Sequence, residues 1–482
     1  MQWETSSSLK MHPSKLLCLL VVLSFAALLL PLSGNAAAVS AEPQTQGPVY
    51  IVQDGDTLTT IADRFRVSLD ALIQANQIAD PNIVVPGTAL VIPGIAGYSG
   101  VLDTAPVDFG QTLTSLSRYY HMDAGLLTRI NHITSPAELY VGTTLILPKQ
   151  SEQATKLQSV SLSDGQSLLD LSLTLSQNPW ALASSNGLSS LWDLLPGEDL
   201  FTSAAGKSAN RQSGLIGSVS LSPLPLTQGK TVEIRVDTNS ATELQGNLGE
   251  TPLHFFALAP NQYVAFQGIH AMQDPGIVEF NLTAKDTGGS VAAVSQAVLV
   301  AEGNYPQDPP LSVDPATIDP KITGPEDQLV SQVTSQVTAS KLWQGQFQPP
   351  VAQPYCVKSG FGSRRSYNGG VLKSFHGGTD FGVCNSSDPF SIYAAADGVV
   401  AYTGKLEVRG NATFINHGWG VYTAYFHQSE ILVKPGDVVK AGQLIGKIGA
   451  TGRVTGPHLH WEVWVGGVQV DPLQWLGQAF PF

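Results

Sequence analysis

The chain is poor in charge, poorest in positive charge, and nearly without cysteine. Only 13% of its 482 residues are Asp, Glu, Lys or Arg, and 38 acidic side chains outnumber 25 basic ones, a formal net charge of −13. That balance excludes a nucleic-acid partner held by phosphate contacts. It also argues against electrostatic docking on anionic lipid or acidic polymers. Scarce charge beside 47 Gly and 31 Pro disfavours long charged helices and favours β-rich, loop-rich modules. Of three cysteines, Cys18 lies in an apolar run near the N-terminus, outside any lipobox context, so a lipoprotein is not expected. Lys10 and Lys15 precede that run, Leu16–Leu32, and the small residues Gly34-Asn-Ala-Ala-Ala38 follow it. The pattern predicts a secretory signal over residues 1–38, cleaved after Ala38 or Ala41. An uncleaved membrane anchor is the alternative, the run being near the lower limit for a span. Cleavage leaves Cys356 and Cys384, an even count in an exported chain, which predicts a disulfide stapling the segment between them. Two free thiols, or one thiol on a metal, are the competing readings.

The length calls for several domains. Residues 50–204 hold a repeat. Gly55, Gly110 and Gly165 stand 55 residues apart, as do Leu58, Leu113 and Leu168; Asn76, Asn131 and Asn186; Gly87, Gly142 and Gly197; and Leu90, Leu145 and Leu200. In the first unit a short strand at Tyr50 precedes apolar Leu58, Ile61, Ala62 and Phe65 at helical spacing, and a last strand ends at Pro93. The unit resembles the LysM module, a small βααβ domain that binds N-acetylglucosamine-containing glycans. The resemblance covers 48–93 strongly, 106–148 moderately, where Gln111 replaces Asp56, and 160–203 weakly. It implies the fold in all three units and glycan binding mainly in the first, around Gly55, Asp56, Thr57 and Ile78. Repeats that serve only as spacers are the alternative.

Within 215–302, Val232, Ile234 and Val236 alternate with Glu233, Arg235 and Asp237, as in a half-buried strand. About seven short strands here predict an Ig-like β-sandwich without catalytic residues. A Pro-rich stretch, Asn304–Pro320, predicts an extended, semi-rigid spacer. Pro325–Trp343 is amphipathic, with Leu329, Val333 and Val337 on one face. It is expected to pack on the last domain, or else to cover its cleft. Residues 303–342 thus read as linker and helix.

The densest chemistry lies in 343–482. His376 and Asp380 stand in SFHGGTDFG, and His458 and His460 in TGPHLHWEV. On a strand His458 and His460 share a face while Leu459, Trp461 and Val463 take the other. Imidazoles and a carboxylate are zinc ligands, and a catalytic site keeps a position open for water. Around them stand Gly360-Phe-Gly362-Ser-Arg364, Asp397-Gly-Val-Val, Asn416-His-Gly418 and Tyr425-Phe-His427. Jointly and in this order they resemble the lysostaphin-type (LytM-like) zinc endopeptidases that cut peptidoglycan. The resemblance implies that His376, Asp380 and His460 ligate one Zn²⁺ and that His427 and His458 are the non-ligand catalytic histidines. Which of the two is the base stays open. Glu462 shares the face of His460, either orienting its ring or facing solvent. Tyr425, two residues from His427, is expected on the same face, packed or touching substrate. His417 is expected in a turn, and His121, His132, His254 and His270 have no partner at ligand spacing. The segment Phe381–Ile392 is longer than in relatives.

The expected protein is multidomain and mainly β: LysM repeats, an Ig-like sandwich and a C-terminal antiparallel-β metallopeptidase domain. Its expected action is hydrolysis of peptide cross-links in peptidoglycan, outside the cell or at the wall, with no membrane contact after signal cleavage. An inactive wall-binding activator or scaffold is the alternative.

Overall fold

The computed structural model describes residues 47–150, 157–162, 165–195, 198–202, 215–383 and 386–481. The expected signal peptide, with its alternative as a membrane anchor, lies outside them. No helix among the described residues is long and apolar enough to cross a membrane.

Each repeat is a strand, two helices and a strand. The first runs Val49–Ile51, Leu58–Arg64, Leu69–Asn76 and Ala89–Val91; the second Val101–Pro106, Leu113–Tyr120, Ala124–Ile130 and Thr144–Pro148. The third runs Gln158–Ser161, Leu168–Thr174, Pro179–Ser185 and Asp199–Thr202. The Asn column has a structural cause. Asn76, Asn131 and Asn186 each donate from Nδ2 to the carbonyl four residues back and to a carbonyl in the last strand. Each Oδ1 accepts the N–H of that same strand residue, at 2.6–2.7 Å. One amide therefore saturates the helix end and clamps the closing strand. The first two units share one core and one four-stranded sheet, joined by parallel pairing of Val49 with Val101. The third unit has its own core and touches the second through Arg118–Glu198 and the rings of Tyr119 and Phe201.

The middle region has nine strands rather than about seven, in sheets of five and four that enclose a shared apolar core. It is joined on both sides. Val141 of the second repeat bridges Val298, and Phe109 packs edge-on against Phe280. On the opposite side Glu233, expected in solvent, is only 2% exposed. It pairs across the strands with Phe266, whose ring enters the C-terminal core among Trp343, Trp419, Trp475 and Phe480. That face is buried because another domain lies on it.

The proline-rich stretch is not a free spacer. Gln307 and Leu311 pair with Arg364 and Tyr367, and Asn368 exchanges hydrogen bonds with Val313. The helix that follows is Pro320–Thr334, capped by Asp319, with Pro325 inside it. It is shorter at its C-terminal end than Pro325–Trp343 and begins earlier. Leu329, Val330 and Val333 pack on Leu406, Phe414 and Phe426, whereas Val337 lies beyond the helix and is exposed. The helix thus packs on the C-terminal domain.

That domain is built on an antiparallel sheet. Its order is Val357–Ser359, Thr379–Gly382, His458–Val465, Val421–Ile431, Gly410–Gly418, Gly398–Leu406 and Val438–Val439. His417 corrects the expectation of a turn. It ends the Gly410–Gly418 strand, fully buried, with Nδ1 on the Asp397 carbonyl and Nε2 on Thr423 Oγ1, both at 2.8 Å. Burial pushes its pKa down to about 4.

Candidate metal centre and cleft

Register brings the cluster together. Asp380 pairs with His460 across adjacent strands, and His460 pairs with Phe426 on the next. His376 enters from just beyond the Leu372–Phe375 strand. His460 Nδ1 lies 2.8 Å from Asp380 Oδ1, and His376 Nε2 lies 3.0 Å from both atoms. Gly378 permits this approach, since a Cβ there would stand 2.3 Å from the Trp461 carbonyl oxygen and 2.9 Å from His460 Nε2.

The far side of each ring fixes its tautomer. His376 Nδ1 is 2.7 Å from the Gly360 carbonyl, so it carries the proton and Nε2 presents a lone pair. His460 Nε2 is 3.0 Å from Glu462 Oε1, so it donates and Nδ1 presents a lone pair. Two imidazole lone pairs and a carboxylate oxygen thus converge on one point, which only a cation or an added proton satisfies. These three residues form a metal-binding cluster. Without a metal the proton is the only remedy. Burial opposes charge on His460, but the hydrogen bonds to Asp380 and Glu462 outweigh it and raise its pKa to about 9. Asp380, although desolvated, is held well below the usual carboxylate range by the His376 and His460 rings against it.

Glu462 is buried rather than solvent-facing. It accepts from His460, from Gln469 Nε2 at 2.7 Å and from Trp464 Nε1 at 2.8 Å. Such a partner orients the ring and raises its basicity. Glu462→Gln is expected to weaken metal affinity about 10- to 100-fold. Competition against a chromophoric chelator measures this, and an unchanged affinity would reject the orienting role.

His427 and His458 stand beside the cluster with ring centroids 4.9 Å apart. His427 Nδ1 is 2.8 Å from the Thr451 carbonyl and His458 Nδ1 is 2.8 Å from the Gly456 carbonyl, so both present Nε2 lone pairs when neutral. Burial, with the His460 charge, lowers the His427 pKa to about 3. Strict alternation fails here. Tyr425 lies in the core, its hydroxyl bonded by Ala395 N and Thr423, away from the cleft. His427 reaches the cleft because its φ is +61°, a left-handed conformation costly for a non-glycine residue.

The cluster opens into a cleft of ≈ 1100 Å³. Several of its features escaped the sequence reading. Phe426 stacks on His460 at 5.7 Å. Arg365, Arg409 and Arg453 line the cleft, and the strap around Leu311 forms one wall. In the sequence Phe426 lies inside Tyr425-Phe-His427, Arg365 follows Arg364 directly, and Arg453 stands two residues before TGPHLH, but none of these positions announces a place in the cleft.

Among the other expected site residues, Asp56 is committed to local structure. Its carboxylate accepts from Tyr50, the Gln53 amide and Arg64. Thr57 caps the first helix, Gly55 makes the preceding turn at φ +87°, and Ile78 is partly buried on the repeat core. Cys356 is disulfide-bonded; Cys384, its expected partner, lies outside the described residues.

The family model for peptidase family M23 matches residues 374–472, and that for the LysM domain matches 50–93 and 107–148. The chain is 41% identical over 125 residues to the peptidoglycan DD-endopeptidase ShyA of Vibrio cholerae serotype O1, which is 26% of this chain and 28% of that protein. It is 44% identical over 82 residues to the DD-carboxypeptidase/endopeptidase Mpg of Neisseria meningitidis serogroup B, 17% of this chain and 19% of that one. The chain therefore spans less than a third of the length of these relatives. The solved catalytic domain of lysostaphin from Staphylococcus simulans matches at 31% identity, covering 26% of this chain and 93% of that one with a TM-score of 0.22. The chain thus carries a C-terminal M23 (lysostaphin-type) peptidase domain behind two N-terminal LysM domains.

Proposed function

We propose that the protein is a zinc-dependent endopeptidase that hydrolyses D,D peptide cross-links of peptidoglycan outside the cell or at the wall, held on glycan by its LysM units. The observation that carries this reading is the convergence of three lone-pair atoms beside two further histidines in one cleft. His376, Asp380 and His460 would hold the metal. Zinc bound there supplies a Lewis acid and lowers the pKa of a water to roughly 7. His427 and His458, their Nδ1 protons tied to carbonyls, take a proton from the attacking water and deliver one to the departing amine. Glu462 and the Gly360 carbonyl keep the ligand rings turned inward. The ShyA and Mpg matches support a D,D bond as the target.

The middle region serves as an Ig-like sandwich that fixes the peptidase relative to the repeats, and the third repeat-like unit extends the glycan-binding arm. The alternative of an inactive scaffold is disfavoured because all five His and Asp side chains meet in the cleft. The test is digestion of purified peptidoglycan by the mature protein, followed by mass spectrometry. New D-amino-acid carboxyl termini paired with newly freed side-chain amines are expected; intact cross-links with zinc present would reject the proposal.

A further inference from the structure

Four basic side chains line the cleft, exposed Lys358 with Arg365, Arg409 and Arg453, against four acidic ones, Asp314, Asp327, Asp380 and Glu462. Arg409 is neutralised by Glu326 at 2.8 Å and Asp327 at 3.1 Å, and Arg365 by Asp308 at 3.1 Å. Arg453 is different. It forms no ion pair among the described residues. Its Nη1 donates to the Thr317 carbonyl at 2.9 Å, and its guanidinium lies over the buried Tyr367 ring, 4.8 Å from the centroid. Asp314 also faces the cleft, but its carboxylate caps the Ala316 amide at 3.0 Å.

A half-buried guanidinium with no counter-charge is costly, and burial lowers its pKa. The aromatic ring and the single carbonyl hold its plane still while leaving most of its five N–H groups unused. A fixed, unused guanidinium edge matches one chemistry best, the two oxygens of a carboxylate. The residue stands in the loop that leads to His458 and reaches across to the Thr317 carbonyl, so its guanidinium faces the same cleft that His427 and His458 line.

We propose that Arg453 is the substrate-carboxylate site of this cleft, pairing with a free carboxylate on the peptide to be cut. This rests on the peptidase reading and gives it a substrate class: stem peptides whose carboxylate is free rather than amidated. Binding supplies the missing counter-charge, so the acid form is selected over its uncharged amide. Arg453 is a specificity-determining residue, and takes no part in proton transfer.

The test compares initial rates on a synthetic cross-linked stem peptide with a free terminal carboxylate and on its carboxamide. For the wild-type protein with zinc, KM for the acid is expected to be about 10- to 100-fold lower, the range of a charge-assisted hydrogen bond. In Arg453→Gln the acid's KM rises to that of the amide, while kcat and the amide's KM change little. Arg453→Lys restores part of the preference, keeping charge without the fork. Equal KM values in the wild type overturn the proposal, whatever the variants do. So does an Arg453→Gln variant that loses both substrates alike, since that marks a strut between strap and loop. If the wild type cleaves neither peptide, the peptidase reading fails separately. Calorimetric affinities for the two peptides then decide the carboxylate site, equal affinities overturning it.

Discussion

His460→Ala is expected to abolish release of peptide from purified peptidoglycan, a loss on the order of 10³-fold or more. The residue does three things at once. Its Nδ1 closes the metal-binding cluster, its Nε2 is oriented by Glu462, and its ring stacks on Phe426. Removing it leaves His376 and Asp380, one short of the three protein ligands that a catalytic zinc would need. On the proposed reading a metal held there would contribute several kcal/mol of transition-state stabilisation, and each 1.4 kcal/mol is tenfold in rate. Metal content of the purified variant should fall together with activity. A variant that keeps its zinc and cuts at the wild-type rate would remove His460 from the ligand set.

His427→Ala and His458→Ala should behave differently. Neither ring contributes an atom to the three-residue cluster. Each is expected to lower kcat about 10²- to 10⁴-fold, the range for a positioned general acid or base, with zinc content unchanged. The pair of readouts separates the roles: activity lost with metal retained marks proton transfer, and activity lost with metal lost marks ligation. Loss of zinc in either variant would contradict the division. His427→Ala carries a second expectation. The native residue sits at φ +61°, so His427→Gly should be folded at least as stably as His427→Ala, because glycine adopts that conformation freely.

The repeat and the metal cluster were readable from sequence because each follows from a period. Asn76, Asn131 and Asn186 recur since one amide makes the same three bonds in each unit, and His458 and His460 share a face since a strand alternates. Where alternation breaks, the reading broke too. Nothing in Tyr425-Phe-His427 announces the left-handed residue that sends the tyrosine inward and His427 into the cleft. His417 precedes a glycine and reads as a turn, but its two ring nitrogens are both satisfied inside the sheet. Glu233 shows the other limit: alternation marks it as outward, and only a second domain lying on that face buries it. Likewise proline density reports that Asn304–Pro320 is extended, without saying that it lies along the Arg364–Tyr367 strand and walls the cleft.

The clamp of Val141 on Val298 and the insertion of Phe266 among the C-terminal aromatics have a consequence for reach. Two modules on a floppy tether search a volume, and the second contact depends on an effective concentration averaged over tether conformations. Here a sheet bridge and a shared aromatic core replace that average with a set separation. On the proposed reading the protein would act as a caliper: a sugar gripped at one jaw would select the cross-links that sit one fixed span away, and bonds nearer or farther along the same strand would be passed over.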